Sequence, residues 1–384
     1  MEIFNFHVAG DIHFGAGITD RIGKEIKRKG GRKILVVVDP GFAKTPSFGK
    51  IPRALEEEGL AFVLFDGVEP EPRTEIADRS GEIARKEQCD FVLGIGGGSA
   101  MDTAKAAAVL ATNGGKAKDY LGMDRVPHPG LPKGMIPTTA GTGSEVTFTA
   151  VFINEQEKKK GGINSPYLYP DLSFLDPELT VALPAAVTAY TGMDALAHGV
   201  ESYLSKAASP ISEIISLEAI RRIGRSLRRA VQEGGNLEAR ADMLLGSLLA
   251  GVGLANAGVT AVHSLSYPLG GIYRVPHGVG NGLLLAAVME YNLPFCRERL
   301  ARVAGALGEE VATGSEERGA LRAVQAVRKM GEDLGVPQRL SDLGIPESAF
   351  RSMAEEALKV TRPLENNPRP VLLEGAMEIY RAVL

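Results

Sequence analysis

Six histidines occur in the 384-residue sequence, and three of them, His198, His263 and His277, lie in its second half. In Thr191-Gly192-Met193-Asp194-Ala195-Leu196-Ala197-His198 an aspartate and a histidine stand four apart. On a helix that spacing puts both on one face, one turn apart. His263 lies within a run, 243–273, that carries no Asp, Glu, Lys or Arg, and His277 falls in the turn Val275-Pro276-His277-Gly278. One carboxylate and three imidazoles, with no thiolate, suit a divalent first-row metal. Asp194 and His198 would equally serve as a simple helix pair, and a lone helical histidine as a partly buried polar group. The apolar, glycine-rich surroundings of all three histidines weigh against that plainer reading, because an unpaired imidazole there is costly.

A second chemistry is written into the first half. Gly94-Ile95-Gly96-Gly97-Gly98-Ser99 stands where an apolar run meets a helical one. Free backbone N–H groups and a helix dipole at such a place suit an anion, and glycines let a pyrophosphate approach the backbone. The pattern departs from G-x-G-x-x-G at its sixth position, and a tight strand–helix turn would also explain it. Pro137-Thr138-Thr139-Ala140-Gly141-Thr142-Gly143-Ser144-Glu145 adds a second loop of hydroxyls and bare backbone, fit either for the phosphate, ribose and amide groups of a nucleotide or for capping a helix. Two such loops together favour nucleotide binding. Asp39 ends an apolar run, where an acid can bond ribose hydroxyls and repel a 2′-phosphate, which predicts NAD over NADP; Asp39-Pro40-Gly41 would also make a turn.

These residues need a frame. Apolar runs at 33–38, 61–65 and 91–95 alternate with helical stretches at 48–58, 74–87 and 100–111, with further short strands at 148–153 and 172–175. That alternation predicts βαβ units and a parallel sheet covered on both faces. Beyond Pro184 the strand signals stop, and helical periodicity covers 185–204, 210–232, 238–257, 282–293, 298–307, 316–334 and 347–358. The expected organisation is a Rossmann-like α/β dinucleotide-binding domain over 1–184 and an all-helical metal-binding and catalytic domain over 185–384.

Apolar residues make up 44% and charged residues 23%, the profile of a globular chain, and the net charge of −4 provides no basic field for nucleic acid. Arg221, Arg222, Arg225, Arg228 and Arg229 read as a solvated helix face rather than a polyanion patch. The uncharged run 243–273 is long enough to span a bilayer, but Asn256, Thr260, His263, Ser264 and Pro268 point to a helix buried in a bundle. Two widely separated cysteines fit a reducing cytoplasm, and no basic and apolar leader opens the sequence.

Taken together, the motifs resemble those of the iron-containing (group III) alcohol dehydrogenases, over nearly the whole chain. The resemblance rests on Gly96-Gly97-Gly98-Ser99 with Asp102 and Lys105, on 137–145, Asp176-Pro177, Asp194 through His198, His263-Ser264-Leu265-Ser266-Tyr267-Pro268-Leu269-Gly270, Pro276-His277-Gly278 and Asn367-Pro368-Arg369. It implies a dehydroquinate synthase-like fold with the active site in the cleft between two domains. It implies Asp194, His198, His263 and His277 as ligands of Fe2+, or of Zn2+. It implies contacts to NAD, or NADP, from Asp39, Gly97, Gly98, Ser99, Thr138, Thr139, Thr147 and Lys160. The family commonly dimerises, so a homodimer is expected. Two positions depart from the family pattern: Tyr267 stands where many members carry a histidine beside the nicotinamide, and its hydroxyl is the expected substitute, while Pro70-Glu71-Pro72 replaces Pro-Asn-Pro. The implied reaction is oxidation of a primary alcohol by NAD+, or the reverse reduction of an aldehyde or ketone. The alternatives on the same scaffold are a metal- and NAD-dependent lyase and a polyol or glycerol-type dehydrogenase. The first would need a cationic phosphate pocket, and 265–274 offers only Arg274. A bare nucleotide-binding module would have no use for four convergent ligands.

Overall fold

The computed structural model describes residues 3–156, 159–310 and 316–384. The chain divides into two units, residues 8–181 and residues up to His7 together with 182–384. The expected division at 184 thus falls three residues late, and the first residues go with the helical unit. Their tie is local: His7 donates its backbone N–H to Asn256 Oδ1 at 2.7 Å, and Asn256 Nδ2 donates back to the His7 carbonyl at 2.8 Å.

The 8–181 unit holds nine strands among the described residues: β1 Asp11–Phe14, β2 Lys33–Val38, β3 Ala61–Phe65, β4 Phe91–Gly96, β5 Gly122–Met123, β6 Lys133–Pro137, β7 Thr149–Asn154, β8 Lys159–Asn164 and β9 Leu172–Leu175. Six of them form one sheet in the order β1-β9-β6-β4-β2-β3, parallel throughout. The run Lys-Ile-Leu-Val-Val-Val lacks polar alternation because both sheet faces are covered. Ile34, Val36 and Val38 enter one core with Ile22, Ile26, Ile51 and Leu55, while Leu35 and Val37 enter another with Ile76, Ala84, Met101 and Ala104. The covering helices are α1 Ile22–Arg28, α2 Lys50–Glu57, α3 Thr74–Lys86 and α4 Gly98–Asn113. The strand expected at 148–153 joins a separate three-stranded sheet, β5-β8-β7, in which β7 and β8 run antiparallel.

In the second unit every regular element among the described residues is helical: α5 Ala185–Leu204, α6 Pro210–Gln232, α7 Leu237–Ala257, α8 Ala261–Tyr273, α9 His277–Asn292, α10 Arg297–Ala306, α11 Glu316–Asp333, α12 Phe350–Ala357, α13 Thr361–Asn366 and α14 Leu373–Arg381. The uncharged run expected as one buried helix is two, α7 and α8, meeting at 105°. The break falls at Gly258, whose φ of +69° suits glycine and ends α7. Among the described residues no single helix is long and apolar enough to cross a membrane, and the bent pair is largely buried in protein. The five arginines of α6 are paired with carboxylates: Arg221 and Arg222 with Glu218, Arg222 and Arg225 with Asp242, Arg228 with Asp333, and Arg229 with Glu238. The cluster is a paired helix face rather than a polyanion patch, as the sequence suggested, although Arg222 is only partly exposed.

Candidate metal centre and dinucleotide cradle

Three helices bring the predicted ligands together. Asp194 and His198 stand on one face of α5, His263 in the first turn of α8, and His277 at the first position of α9. Gly278 makes that approach possible: a Cβ there would lie 2.4 Å from the Tyr190 carbonyl oxygen and 3.5 Å from Asp194 Cβ. Ligand atoms of Asp194, His263 and His277 all lie within 4.8 Å of one another, a grouping able to hold a metal ion. His198 joins them, its Nε2 3.9 Å from Asp194 Oδ1 and 3.0 Å from His263 Nε2. The Nε2 atoms of His263 and His277 stand 4.0 and 3.9 Å from the same carboxylate oxygen. Two imidazole nitrogens 3.0 Å apart cannot both present lone pairs unscreened, so this geometry calls for a proton or a cation between them. Burial alone would push the Asp194 carboxyl up, but His198, His277, His263 and the Asn281 amide outweigh it and hold it below the ordinary aspartate range. One carboxylate among three imidazoles is the donor set a divalent first-row ion takes. Tyr267 lies beside this group, its ring stacked on His277 with centroids 6.4 Å apart.

Two side chains belong to the cluster that the sequence analysis did not single out. Asn281, one turn after His277 on α9, directs Nδ2 at Asp194 Oδ1 (2.7 Å) and at Nε2 of His263 and His277 (3.1 Å each). Glu201, buried on α5, meets His263 Nδ1 with Oε2. A signal for each was present: Asp194, His198 and Glu201 follow the i, i+4, i+7 rhythm of one helix face, and Asn281 repeats the i+4 step from His277.

In the 8–181 unit, three loops leave the C-terminal ends of adjacent parallel strands, where open α/β sheets bind ligands. They follow β2, β4 and β6, and backbone bonds tie them edge to edge: Asp39 N–H to the Ile95 carbonyl, and Thr138 N–H to the Gly96 carbonyl, both 2.9 Å. Gly96 takes φ +146°, and a Cβ there would meet Asp39 Cβ and Ala100 Cβ at 2.8 Å. Gly97 and Gly98 start α4 beneath the second loop, where added Cβ atoms would come within 3.5 Å of Thr139 and 3.0 Å of Thr142. The Thr139 hydroxyl is buried with no hydrogen-bond partner, a polar atom awaiting one. Bare backbone at a helix start beside a waiting hydroxyl fits a dinucleotide pyrophosphate.

The loop after β6 is pinned from within. Asp102 accepts from the Ser144 hydroxyl (2.6 Å) and the Val151 N–H (2.8 Å), and the fully buried Lys105 ammonium donates to the Ser144 and Thr149 carbonyls and to Thr147 Oγ1. Thr147 is therefore engaged with Lys105. Asp39 Oδ1 caps the Phe42 N–H at 2.8 Å, so the turn reading of Asp39 holds alongside any ribose role. Lys160 is paired with Glu71 at 2.8 Å, and Glu71 takes the left-handed φ of +51°.

A doubly wound α/β unit with this cradle, joined in one chain to an all-helical unit with an Asp-His cluster, defines a two-domain, dehydroquinate synthase-like enzyme built for a metal and a dinucleotide. Family profiles place residues 9–177 in "Iron-containing alcohol dehydrogenase" and residues 188–384 in "Fe-containing alcohol dehydrogenase family, C-terminal". The sequence is 43% identical to Long-chain-alcohol dehydrogenase 1 of Geobacillus thermodenitrificans, over 96% of this chain and 94% of that one. It is 40% identical to 1,3-propanediol dehydrogenase of Klebsiella pneumoniae, over 99% and 98%. A crystal structure of a 1,3-propanediol oxidoreductase superposes with a TM-score of 0.97 at 39% identity, and an alcohol dehydrogenase from Oenococcus oeni with 0.96 at 35%, each covering the whole of both chains. The chain belongs to the iron-containing alcohol dehydrogenase family. It is a metal-dependent, NAD-linked oxidoreductase acting on a primary alcohol or the corresponding aldehyde.

Proposed function

We propose that Asp194, His198, His263 and His277 hold the divalent ion, Fe2+ or Zn2+, and that the loops after β2, β4 and β6 hold the dinucleotide. Asp39 would take the ribose hydroxyls, Gly97, Gly98 and Ser99 with the Thr139 hydroxyl the pyrophosphate, and Thr138 a further contact to the dinucleotide. Thr147 and Lys160 would complete the site. When bound, the ion polarises a hydroxyl or carbonyl oxygen and the nicotinamide exchanges a hydride with the carbinol carbon, for a net alcohol + NAD+ ⇌ aldehyde + NADH + H+. Asp194 supplies the negative charge that partly neutralises the ion, and the three imidazoles supply uncharged nitrogen donors. Tyr267, stacked on His277, provides a hydroxyl able to pass on the proton that the alcohol gives up. The observation that carries the assignment is the approach of Asp194, His263 and His277 within 4.8 Å from three different helices.

The relatives named above take, by their names, long-chain alcohols and 1,3-propanediol, so an unbranched terminal alcohol is the proposed substrate class. The proposed setting is a cytoplasmic homodimer. Its support is two free buried cysteines and the outer strand β1, whose Ile12 and Phe14 are exposed on an edge open to pairing. The test is NADH formation from a series of straight-chain primary alcohols, with and without added Fe2+ or Zn2+, alongside metal analysis of the purified protein. Full activity and full metal content in both Asp194→Ala and His277→Ala would end the assignment.

A further inference from the structure

Glu201 is 1% exposed, on the face of α5 that carries Asp194 and His198. Its Oε1 accepts from the backbone N–H groups of Thr260 (2.9 Å), Val262 (3.0 Å) and His263 (3.4 Å) and from the Thr260 hydroxyl (3.0 Å). Its Oε2 is hydrogen-bonded to His263 Nδ1. Helix α8 has no side-chain cap of its own. The N–H groups that every helix start leaves unmatched are here taken up by a carboxylate from a neighbouring helix, where negative charge is favoured. Four donors, three backbone N–H groups and one hydroxyl, converge on Oε1, and the His263 ring meets Oε2.

We propose that Glu201 is a positioning residue that fixes His263 in its Nδ1–H tautomer and thereby reserves the Nε2 lone pair for a divalent ion. The proposal rests on the metal assignment made above. A neutral imidazole has one N–H, and a carboxylate at Nδ1 decides which nitrogen carries it. Nε2 is then the acceptor, and it is the atom that faces His198 Nε2 at 3.0 Å and Asn281 Nδ2 at 3.1 Å. The same side chain anchors the first turn of α8, so ring orientation and helix start are set by one group.

Glu201→Gln separates these roles. The four donors at Oε1 force the amide oxygen to face the helix start, which leaves the amide NH2 against His263 Nδ1. An NH2 there demands a bare Nδ1 and moves the imidazole proton to Nε2, where it blocks the ligand atom. The readouts are the 15N side-chain signals of the metal-free protein labelled at its six histidines, Zn2+ affinity by competition with a chelator, and thermal melting. The wild type is expected to show His263 as the Nδ1–H tautomer. E201Q is expected to show Nε2–H, to bind Zn2+ about 10–100-fold more weakly, and to melt near the wild type when metal-free, since α8 keeps its acceptor. His277→Ala, which leaves Glu201 and His263 untouched, serves as the control for the metal assignment. Zn2+ affinity that is unchanged in E201Q but lost in H277A overturns the role of Glu201 and leaves the metal assignment standing. An Nε2–H tautomer in the wild type also overturns it, and a wild type that takes up no Zn2+ overturns both.

Discussion

The amide nitrogen of Asn281 donates to Asp194 Oδ1 across 2.7 Å and stands 3.1 Å from Nε2 of both His263 and His277. One NH2 carries two hydrogens, so three acceptors share two donors. Those acceptors are the atoms proposed to take the ion, and the amide and a cation therefore compete for one set of lone pairs. Removing the competitor in Asn281→Ala should destabilise the metal-free protein by about 1–3 kcal/mol, the cost of buried acceptors left without a donor. Added Zn2+ should then raise the melting temperature by more than it does in the wild type. Equal rises in the two proteins would mean that the amide does not oppose the ion.

Metal removal should separate His198 from the other ligands. Dialysis against EDTA is expected to abolish NADH formation and lower the melting temperature, and Fe2+ or Zn2+ should restore both. Asp194 brings the only negative charge among the proposed ligands, so Asp194→Ala should lose the metal outright. His198→Ala leaves the Asp194–His263–His277 grouping intact and should retain a weakened, partly filled site. Metal content measured after desalting decides it, and equal retention in the two variants would contradict this ranking.

The sequence made the strands of the large sheet legible where they are buried on both faces. β2 and β9 begin and end where the apolar runs do, because their continuous Val, Ile, Leu and Phe are covered on both faces; the edge strand β3 also matches its run, although Leu64 on it is exposed. β6, Lys133-Gly134-Met135-Ile136-Pro137, escaped notice. It contains a lysine, a glycine and a proline, and it is held by backbone pairing to β4 and β9 and by Lys133 beside Asp171. Helix α8 was hidden inside an uncharged run whose break depends on the backbone of one glycine. The ligands were readable because their types are rare and their spacing is helical. Glu201 and Asn281 were not singled out, since glutamate and asparagine are common and their helical spacing from the ligands gains weight only once their burial is known. The pairing of Lys160 with Glu71 joins residues 89 positions apart, which local patterns cannot report.

Cofactor choice should turn on the charge of Asp39 and not on its cap. Asp39 Oδ1 holds the Phe42 N–H, so glycine at this position would loosen the turn as well as remove the charge. Asp39→Asn keeps an acceptor for that N–H and removes only the carboxylate. The ratio of kcat/KM for NADP to that for NAD should rise about tenfold or more, the scale of a like-charge term of about 1.4 kcal/mol. Asp39→Gly should show the same change in ratio together with a lower melting temperature. An unchanged ratio in both variants would remove Asp39 from the ribose site.

The stability of the α/β unit should fall as pH rises towards neutrality because of Glu145. This side chain is 1% exposed, its Oε1 has no hydrogen-bond partner, and burial pushes its carboxyl up from 4.5 to about 7 against the smaller opposing pulls of its own backbone N–H and of Lys105. Between those two values the folded protein keeps a proton that the unfolded chain has released. The unfolding free energy therefore declines with pH across that window, by up to about 1.4 kcal/mol per unit, and levels off above it. Glu145→Gln has no proton to lose at this position. Subtracting its urea-unfolding free energy from that of the wild type at each pH cancels the other titrating groups. The difference should drift against the wild type by about 3 kcal/mol between pH 4.5 and 7.5. A difference that stays flat over that range would mean that Glu145 is ionised throughout, held so by the Lys105 ammonium.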